Sequence, residues 1–441
     1  MAPAVRATTF RSVACERYRG SRFEVVDRPF RALPMSEQDL RSYASHVECA
    51  RCSRTYSSAE LQSTCACGSP LLFRYRLDEL ASEVDRGMLR GRVATLWRYA
   101  ELLPVLDPRR AVTLGEGFTP LLPLQCGAAM GVPKLFVKDE GQNPTGTFKA
   151  RGAAVGVTCL RERGVQSVVV SSSGNAGDAW AAYCRRAGIR ATVFLPADAP
   201  APTLVEAALS GEDVATFRGH NSHGGRLAKA FGASHGAFVA NTFQEPYRVE
   251  GKKTMGLEIA EQLGWRMPDV VVYPIGGGVG LVGIWKAFRE LLDLGWIEGR
   301  MPRFVVAQYS GCAPIVEAFR SGRMECEPWG EIATLPGGLR APKPLADFLV
   351  LQILRDTGGT AMAVTGEQAL SAMRDVMSSD GLFMCPEAAT TIVALRELAS
   401  TGVIDRDDEV VIINTGTGLK YASLVSAAVR DADQDQEVAI P

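Results

Sequence analysis

From about residue 110 onward, short runs of β-branched and aromatic residues alternate with longer segments whose apolar positions recur at helical spacing. The runs KLFVK (134–138), SVVVSS (167–172), ATVFLP (191–196), DVATF (213–217), FVANT (238–242), DVVVYPIG (269–276), RFVVAQYS (303–310) and EVVIINTG (409–416) predict strands. Between most of them lie stretches such as ARGAAVGVTCLRERG (150–164), DAWAAYCRRAG (178–188) and TLVEAALSG (203–211), which predict helices. A strand apolar on both faces belongs in a parallel sheet covered by helices on both sides. The fold class expected is therefore α/β, with parallel sheets flanked by helices. Short strand–helix units over 131–244 predict a smaller lobe, and 77–130 with 245–430 a larger one, with a cleft between.

Upstream the pattern changes. CARC (Cys49, Cys52) and CACG (Cys65, Cys67) form two close pairs within 46–76, the signature of a small ribbon. Four thiolates on two turns can hold one tetrahedral zinc, with no open position for chemistry. The second pair is C-x-C, and a ribbon without metal is the other reading. Residues 1–45 are poor in acids early on and predict a loosely attached extension; 431–441 read as an acidic, solvated tail.

Composition narrows the classes. A formal net charge of −1 gives no basic field for nucleic acid or a membrane surface. No apolar run approaches the ~20 residues of a membrane span. Isolated cysteines inside apolar patterns (Cys159, Cys184, Cys312, Cys385) fit buried thiols of a reducing compartment, so a cytoplasmic protein is expected. Only four histidines occur, and none lies beside other catalytic signals, which argues against histidine-based hydrolysis or a multi-histidine metal site.

The chemistry should lie where strands hand over to loops at their carboxyl ends. GQNPTGTFKARG puts Lys149 at a helix start, where an ammonium is disfavoured and a neutral amine nucleophile is favoured. In SSSGNAG, Ser172, Ser173, Gly174 and Asn175 open a helix with groups suited to a carboxylate or phosphate. In PIGGGVGL, Gly276, Gly277, Gly278, Val279 and Gly280 let backbone wrap a phosphate at another helix start. Gly278, Gly280 and Gly283 also match G-x-G-x-x-G, but the next strand ends in Gln308, Tyr309 and Ser310, without the acid a dinucleotide ribose needs. NTGTGLK adds the hydroxyl of Thr415, able to face a ring nitrogen. A lysine for an aldehyde, a glycine cup and a hydroxyl together point to pyridoxal 5'-phosphate (PLP).

The stretches DEGQNPTGTFKARG, SSSGNAG, EPYRVEGKKTMGLEIAEQLGW, PIGGGVGL and NTGTGLKY resemble threonine synthases, members of the fold-type II PLP enzymes; the resemblance runs from about Cys49 to Tyr421. It implies a two-lobed architecture like that of the tryptophan synthase β chain, often dimeric. Lys149 would hold PLP as a Schiff base and move protons, and Asn175 would bond its 3′ oxygen. Gly276–Gly280 would hold its phosphate, and Thr415 would face the pyridine nitrogen. Ser172, Ser173 and Gly174 would meet the substrate carboxylate. Arg248, Lys252, Lys253 and Thr254 fall in the stretch that meets the substrate phosphate, with Arg248 and Lys253 ranked first. The implied reaction is loss of phosphate from O-phospho-L-homoserine and addition of water at Cβ to give L-threonine. Three residues depart from the family pattern: Ala150 where an acid is usual, Ala176 where a hydroxyl is frequent, and Asp178, bulkier and more charged than expected, with Trp180 beyond it. They leave open a β-replacement or elimination on another activated amino acid.

Overall fold

The computed structural model describes residues 40–219 and 221–426; the extension up to residue 39 and the acidic tail lie outside the described residues. The chain opens with an antiparallel ribbon of β1 (Ala44–Cys49), β2 (Thr55–Ser57) and β3 (Leu71–Tyr75), ordered β2-β1-β3. Helix α1 (Leu77–Glu83) and a run of short turns lead to β4 (Leu121–Pro123), α2 (Cys126–Ala129) and β5 (Leu135–Asp139). Next come α3 (Lys149–Glu162), β6 (Ser167–Ser171), α4 (Asn175–Ala187), β7 (Arg190–Pro196), α5 (Ala201–Leu209), β8 (Asp213–Phe217), α6 (Asn221–His235) and β9 (Phe238–Val239). The remainder is α7 (Tyr247–Gln262), β10 (Val270–Pro274), α8 (Val279–Asp293), β11 (Arg303–Tyr309), α9 (Pro314–Arg320), α10 (Asp347–Asp356), β12 (Thr360–Val364), α11 (Gly366–Asp380), α12 (Pro386–Ser400) and β13 (Val410–Asn414).

Each apolar run named above forms a strand. A four-stranded parallel sheet, β8-β7-β6-β9, builds the smaller lobe, and a six-stranded sheet, β12-β11-β10-β13-β5-β4, the larger. The larger sheet is parallel except for β4, which pairs antiparallel with β5. Its central strands β10 and β13 are buried at every position, as continuous Val/Ile runs require.

One boundary moves. The sequence places 131 at the start of the smaller lobe, yet β5 pairs along its length with β13 in the larger sheet, Leu135 opposite Val410 and Asp139 opposite Asn414. Leu135 and Val137 bury in one cluster with Val410 and Ile412, so the crossing into the smaller lobe follows β5. Strand β12 was not legible as a strand: TAMAV lacks the continuous branched run of its neighbours.

Helix α7 is the spine between the lobes, and glycines let its neighbours approach. A Cβ on Gly251 would fall 2.2 Å from the Arg151 carbonyl of α3, and one on Gly283 of α8 would fall 2.8 Å from the Lys253 nitrogen. Gly283, the third glycine of the apparent dinucleotide motif, thus serves helix packing. Beneath the Lys149 turn, Arg151 pairs with Glu140 (2.6 Å) and Glu258 (2.5 Å), and Lys138 pairs with Glu258 (2.7 Å), all with fully buried side chains. Such a cluster ties β5, α3 and α7 together, because removing one member would strand a buried charge. No helix among the described residues is long and apolar enough to cross a membrane.

Candidate active site

The loops at the carboxyl ends of β5, β6, β10 and β13 meet in one cleft between the sheets, with a volume of about 380 Å³. Hydrogen bonds lock two of these turns together. The Phe148 amide donates to the Thr415 carbonyl (3.1 Å) and the Thr417 amide to the Gly146 carbonyl (2.9 Å). Below them, the Asn414 side-chain amide donates to Asp139 (2.7 Å). Lys149 and Thr415 are therefore fixed relative to each other before any ligand enters.

Lys149 is the first residue of α3 and lines the cleft, half-buried. Its pKa falls from 10.5 to about 8. Burial is the larger cause and the Arg248 guanidinium the second, while Glu387 and Asp178 oppose them. The helix start, which suggested a neutral amine in the sequence, is not the main cause of this lowering.

The glycine loop is shaped for close approach of an anion. Gly278 caps α8 with φ +86°, a conformation costly for residues bearing a Cβ. A Cβ on Gly276 would fall 2.3 Å from the Gly338 carbonyl, and one on Gly280 would fall 2.0 Å from Tyr273 Oη. Gly276, Gly277, Gly278, Val279 and Gly280 all line the cleft. The missing side chains let this backbone pack directly on Gly338 and Tyr273, and its amides at the start of α8 line the cleft as a cradle that fits a phosphate group.

Asn175 starts α4; its amide donates to Tyr421 Oη (3.1 Å), and its oxygen accepts from Thr203 (3.2 Å). Ser172, Ser173 and Gly174 line the cleft beside it. The Ser172 hydroxyl closes its own turn, donating to the Gly174 carbonyl and accepting from the Gly174 (3.1 Å) and Ala176 (3.2 Å) amides. Thr415 Oγ1 sits 3.4 Å from Cys385 Sγ. Lys149, the glycine cradle and Thr415 sharing one cleft fit PLP as a lysine-linked cofactor.

Two expected residues lie elsewhere. Lys253 does not line the cleft. It is fully buried on the far side of α7, paired with Glu250 (2.6 Å) and Glu290 (2.7 Å) and 3.8 Å from the Tyr75 ring centroid. Thr254 is buried as well, donating to the Gly251 carbonyl (2.7 Å) and accepting from Arg151 (2.9 Å). Arg248 does line the cleft, and its companion there is Lys252, one helical turn on. The signal was available: residues four apart share a helix face, and residues five apart do not.

The departures also resolve by position. Ala150 is fully buried and does not line the cleft. Asp178 likewise turns away from the cleft and pairs with Lys420, which also reaches Glu206 (2.9 Å). Burial holds the Asp178 pKa up to about 7 against the pull of Lys420. Ala176 and Trp180 do line the cleft, and the Arg248 guanidinium lies 5.0 Å from the Trp180 ring centroid. Sequence reasoning gave no role to Glu387, a buried cleft residue that accepts from Tyr421 Oη and from the Gly338 amide (2.9 Å). Single buried carboxylates carry no local motif.

Away from the cleft, the sulfurs of Cys49, Cys52, Cys65 and Cys67 lie within 4.8 Å of one another. Cys49 and Cys67 are 3.6 Å apart, as are Cys52 and Cys65. The edge of a tetrahedron with zinc–sulfur bonds of about 2.3 Å is about 3.8 Å. The Arg51 and Cys52 amides both point at Cys49 Sγ (3.4 Å), which suits a thiolate. The four sulfurs fit zinc.

A family model described as pyridoxal-phosphate dependent enzyme matches residues 112–416. The chain is 36% identical to a threonine synthase of Methanocaldococcus jannaschii over 390 residues, covering 88% of this chain and 95% of that protein. It is 37% identical to a threonine synthase of Methanosarcina acetivorans over 378 residues, covering 85% and 92%. Among solved structures, maize serine racemase superposes with a TM-score of 0.61 at 23% identity, covering 72% of this chain and 93% of that one. That last likeness speaks for the fold alone. With Lys149, the glycine cradle and Thr415 assembled in one cleft, the matches establish that the chain is a PLP-dependent lyase of the threonine synthase family.

Proposed function

We propose that the chain converts O-phospho-L-homoserine and water into L-threonine and inorganic phosphate. One observation carries the reading: Lys149, the glycine loop Gly276–Gly280 and the α7 cations Arg248 and Lys252 line one cleft. A substrate that is both an amino acid and a phosphate ester would meet an amine and two cations there.

When bound, PLP supplies an electron sink at the substrate's α-carbon. Lys149, the glycine cradle Gly276–Gly280 and Thr415 would hold it, with Asn175 at its 3′ oxygen. The chain's own residues then do three things. Lys149 acts as proton carrier: the overall change takes a proton from Cβ, returns one to Cγ and restores the one at Cα. An amine with a pKa of about 8 can accept and release these protons near neutral pH. The Ser172 hydroxyl already accepts from the Gly174 and Ala176 amides, which leaves Ser173 beside it to meet the substrate carboxylate. Arg248, braced by Glu245, orients the phosphate. Ala176 and Trp180 in the cleft wall support a second reading, elimination or β-replacement on another activated amino acid, because no hydroxyl stands at 176.

Purified protein given O-phospho-L-homoserine should release threonine and phosphate in equal amounts. Phosphate with no threonine would select the second reading, and neither product would refute both. Lys149→Ala should abolish the visible absorbance of lysine-linked PLP. We further infer that the four cysteines bind one structural zinc, supported by four sulfurs within 4.8 Å of one another, two pairs of them at 3.6 Å.

A further inference from the structure

Asn175 is held from two sides by residues that do not line the cleft. Its Nδ2 donates to Tyr421 Oη (3.1 Å) in the turn after β13, and its Oδ1 accepts from Thr203 Oγ1 (3.2 Å) of α5. Both hydroxyls are buried, so neither has water as an alternative partner. Behind Tyr421 stands Glu387 of α12, whose Oε1 accepts from Tyr421 Oη and from the Gly338 amide (2.9 Å). A backbone N–H can only donate, and a phenol has one proton to give. Two donors converging on Oε1 leave no proton on that oxygen, so the Tyr421 proton is committed to Glu387. Tyr421 Oη can then only accept, and the Asn175 atom facing it must be the amide nitrogen. One turn further along both helices, Lys420 pairs with Asp178 of α4 and with Glu206 of α5 (2.9 Å). The same three elements are thus pinned beside the amide that they orient.

We propose that Tyr421 and Thr203 are positioning residues that fix which way the Asn175 amide points, with Glu387 setting the polarity, so that Asn175 offers the cofactor an N–H and not a carbonyl. The assignment rests on the reading that Asn175 meets the 3′ oxygen of PLP. Of the two N–H groups on Nδ2, Tyr421 takes one, and the other is left for the cleft that Asn175 lines. An amide turned over would set its oxygen against Tyr421 Oη, which has no proton left to give, and lose that hydrogen bond. It would also set acceptor against acceptor at the cofactor. An N–H donated to a phenolic oxygen favours its ionised form over the protonated one. For lysine-linked PLP the ionised form carries the visible absorbance, so the direction of one amide is written in the colour of the protein. Neither Tyr421 nor Thr203 touches a ligand in the cleft; each acts through Asn175.

Absorbance spectra of the PLP-loaded variants test this, with PLP retention measured by equilibrium dialysis. Tyr421→Phe should move absorbance from the visible band to the near-ultraviolet band of the protonated oxygen, and it should bind PLP roughly three- to tenfold more weakly. Thr203→Val acts on the other side of the same amide and should shift the spectrum in the same direction. Should Tyr421→Phe fail to fold, Thr203→Val carries the test alone. Asn175→Ala should show the full shift, and adding Tyr421→Phe or Thr203→Val to it should shift the spectrum no further, because both act through the amide already removed. A wild-type spectrum in either folded single variant, beside a shifted Asn175→Ala, would overturn the positioning role and leave Asn175 at the 3′ oxygen. A further shift in a double variant would overturn it too. An unchanged spectrum in Asn175→Ala would instead remove the reading of Asn175, and the positioning role with it.

Discussion

Lys149 costs the PLP-free protein stability, and the cost follows from its surroundings. A pKa lowered from 10.5 to about 8 means that the folded state disfavours the ammonium. At about 1.4 kcal/mol for each tenfold change in the acid constant, that amounts to about 3 kcal/mol. The half-buried side chain keeps some contact with solvent, so about 1–3 kcal/mol is the range to expect. Lys149→Met keeps the length of the side chain and removes the charge, and it should stabilise the PLP-free protein by that amount at pH 7. The sign over pH is fixed. Above about pH 10.5 both folded and unfolded chains carry a neutral amine and the penalty vanishes; below about pH 8 both carry the ammonium and the penalty is complete. By about pH 10 the advantage of the Met variant should shrink to about a quarter of its neutral-pH value. Urea unfolding of the two PLP-free proteins at both pH values measures this difference, with other titrations cancelling between them. A Met variant no more stable than wild type at pH 7, or a gap unchanged by pH, would refute the reasoning.

Three further predictions concern other parts of the frame. Gly280→Ala would put a Cβ 2.0 Å from Tyr273 Oη, so the cradle must shift and PLP should bind roughly tenfold or more weakly; equilibrium dialysis showing unchanged retention would contradict the cradle. Lys420→Met strands the buried Asp178 carboxylate and should cost about 3–5 kcal/mol at about pH 8. Because burial already holds Asp178 up to about 7, protonation relieves the loss as pH falls, and thermal melts at about pH 5 should show a smaller difference. Metal analysis should find one zinc per chain, lost in Cys52→Ser, and a zinc-free wild type would leave the ribbon metal-independent.

Much of this site could be read in the sequence because its parts are local. A buried strand followed by glycine or serine and then a helix start is written in a few consecutive residues, and Lys149, Asn175, Gly276–Gly280 and Thr415 all sit on such turns. What the sequence withheld depends on partners far along the chain. Lys253 and Lys252 are neighbours in a basic run, yet one is sealed among Glu250, Glu290 and Lys286 and the other faces the cleft. Asp178 looked like an intruder at the substrate; Lys420, 242 residues away, takes it out of the cleft. Glu387 became visible only once α12 was seen to bring it under Tyr421.

The ribbon has a consequence for where this protein can be cut. Tyr43, Leu72 and Leu80 lie inside the apolar cluster that also contains Met255, Val271 and Leu281 of the larger lobe. Val47, Leu71 and Phe73 share a cluster with Ala150, Trp180 and Tyr247. The Gln62 amide donates to Tyr247 Oη (2.9 Å), one residue before Arg248. The ribbon is therefore a wedge driven into both cores rather than an appended module. A shortened chain beginning at residue 112, where the family match starts, would expose the two hydrophobic faces it covers and release the first turn of α7. The ribbon thus belongs to the folding unit of both lobes.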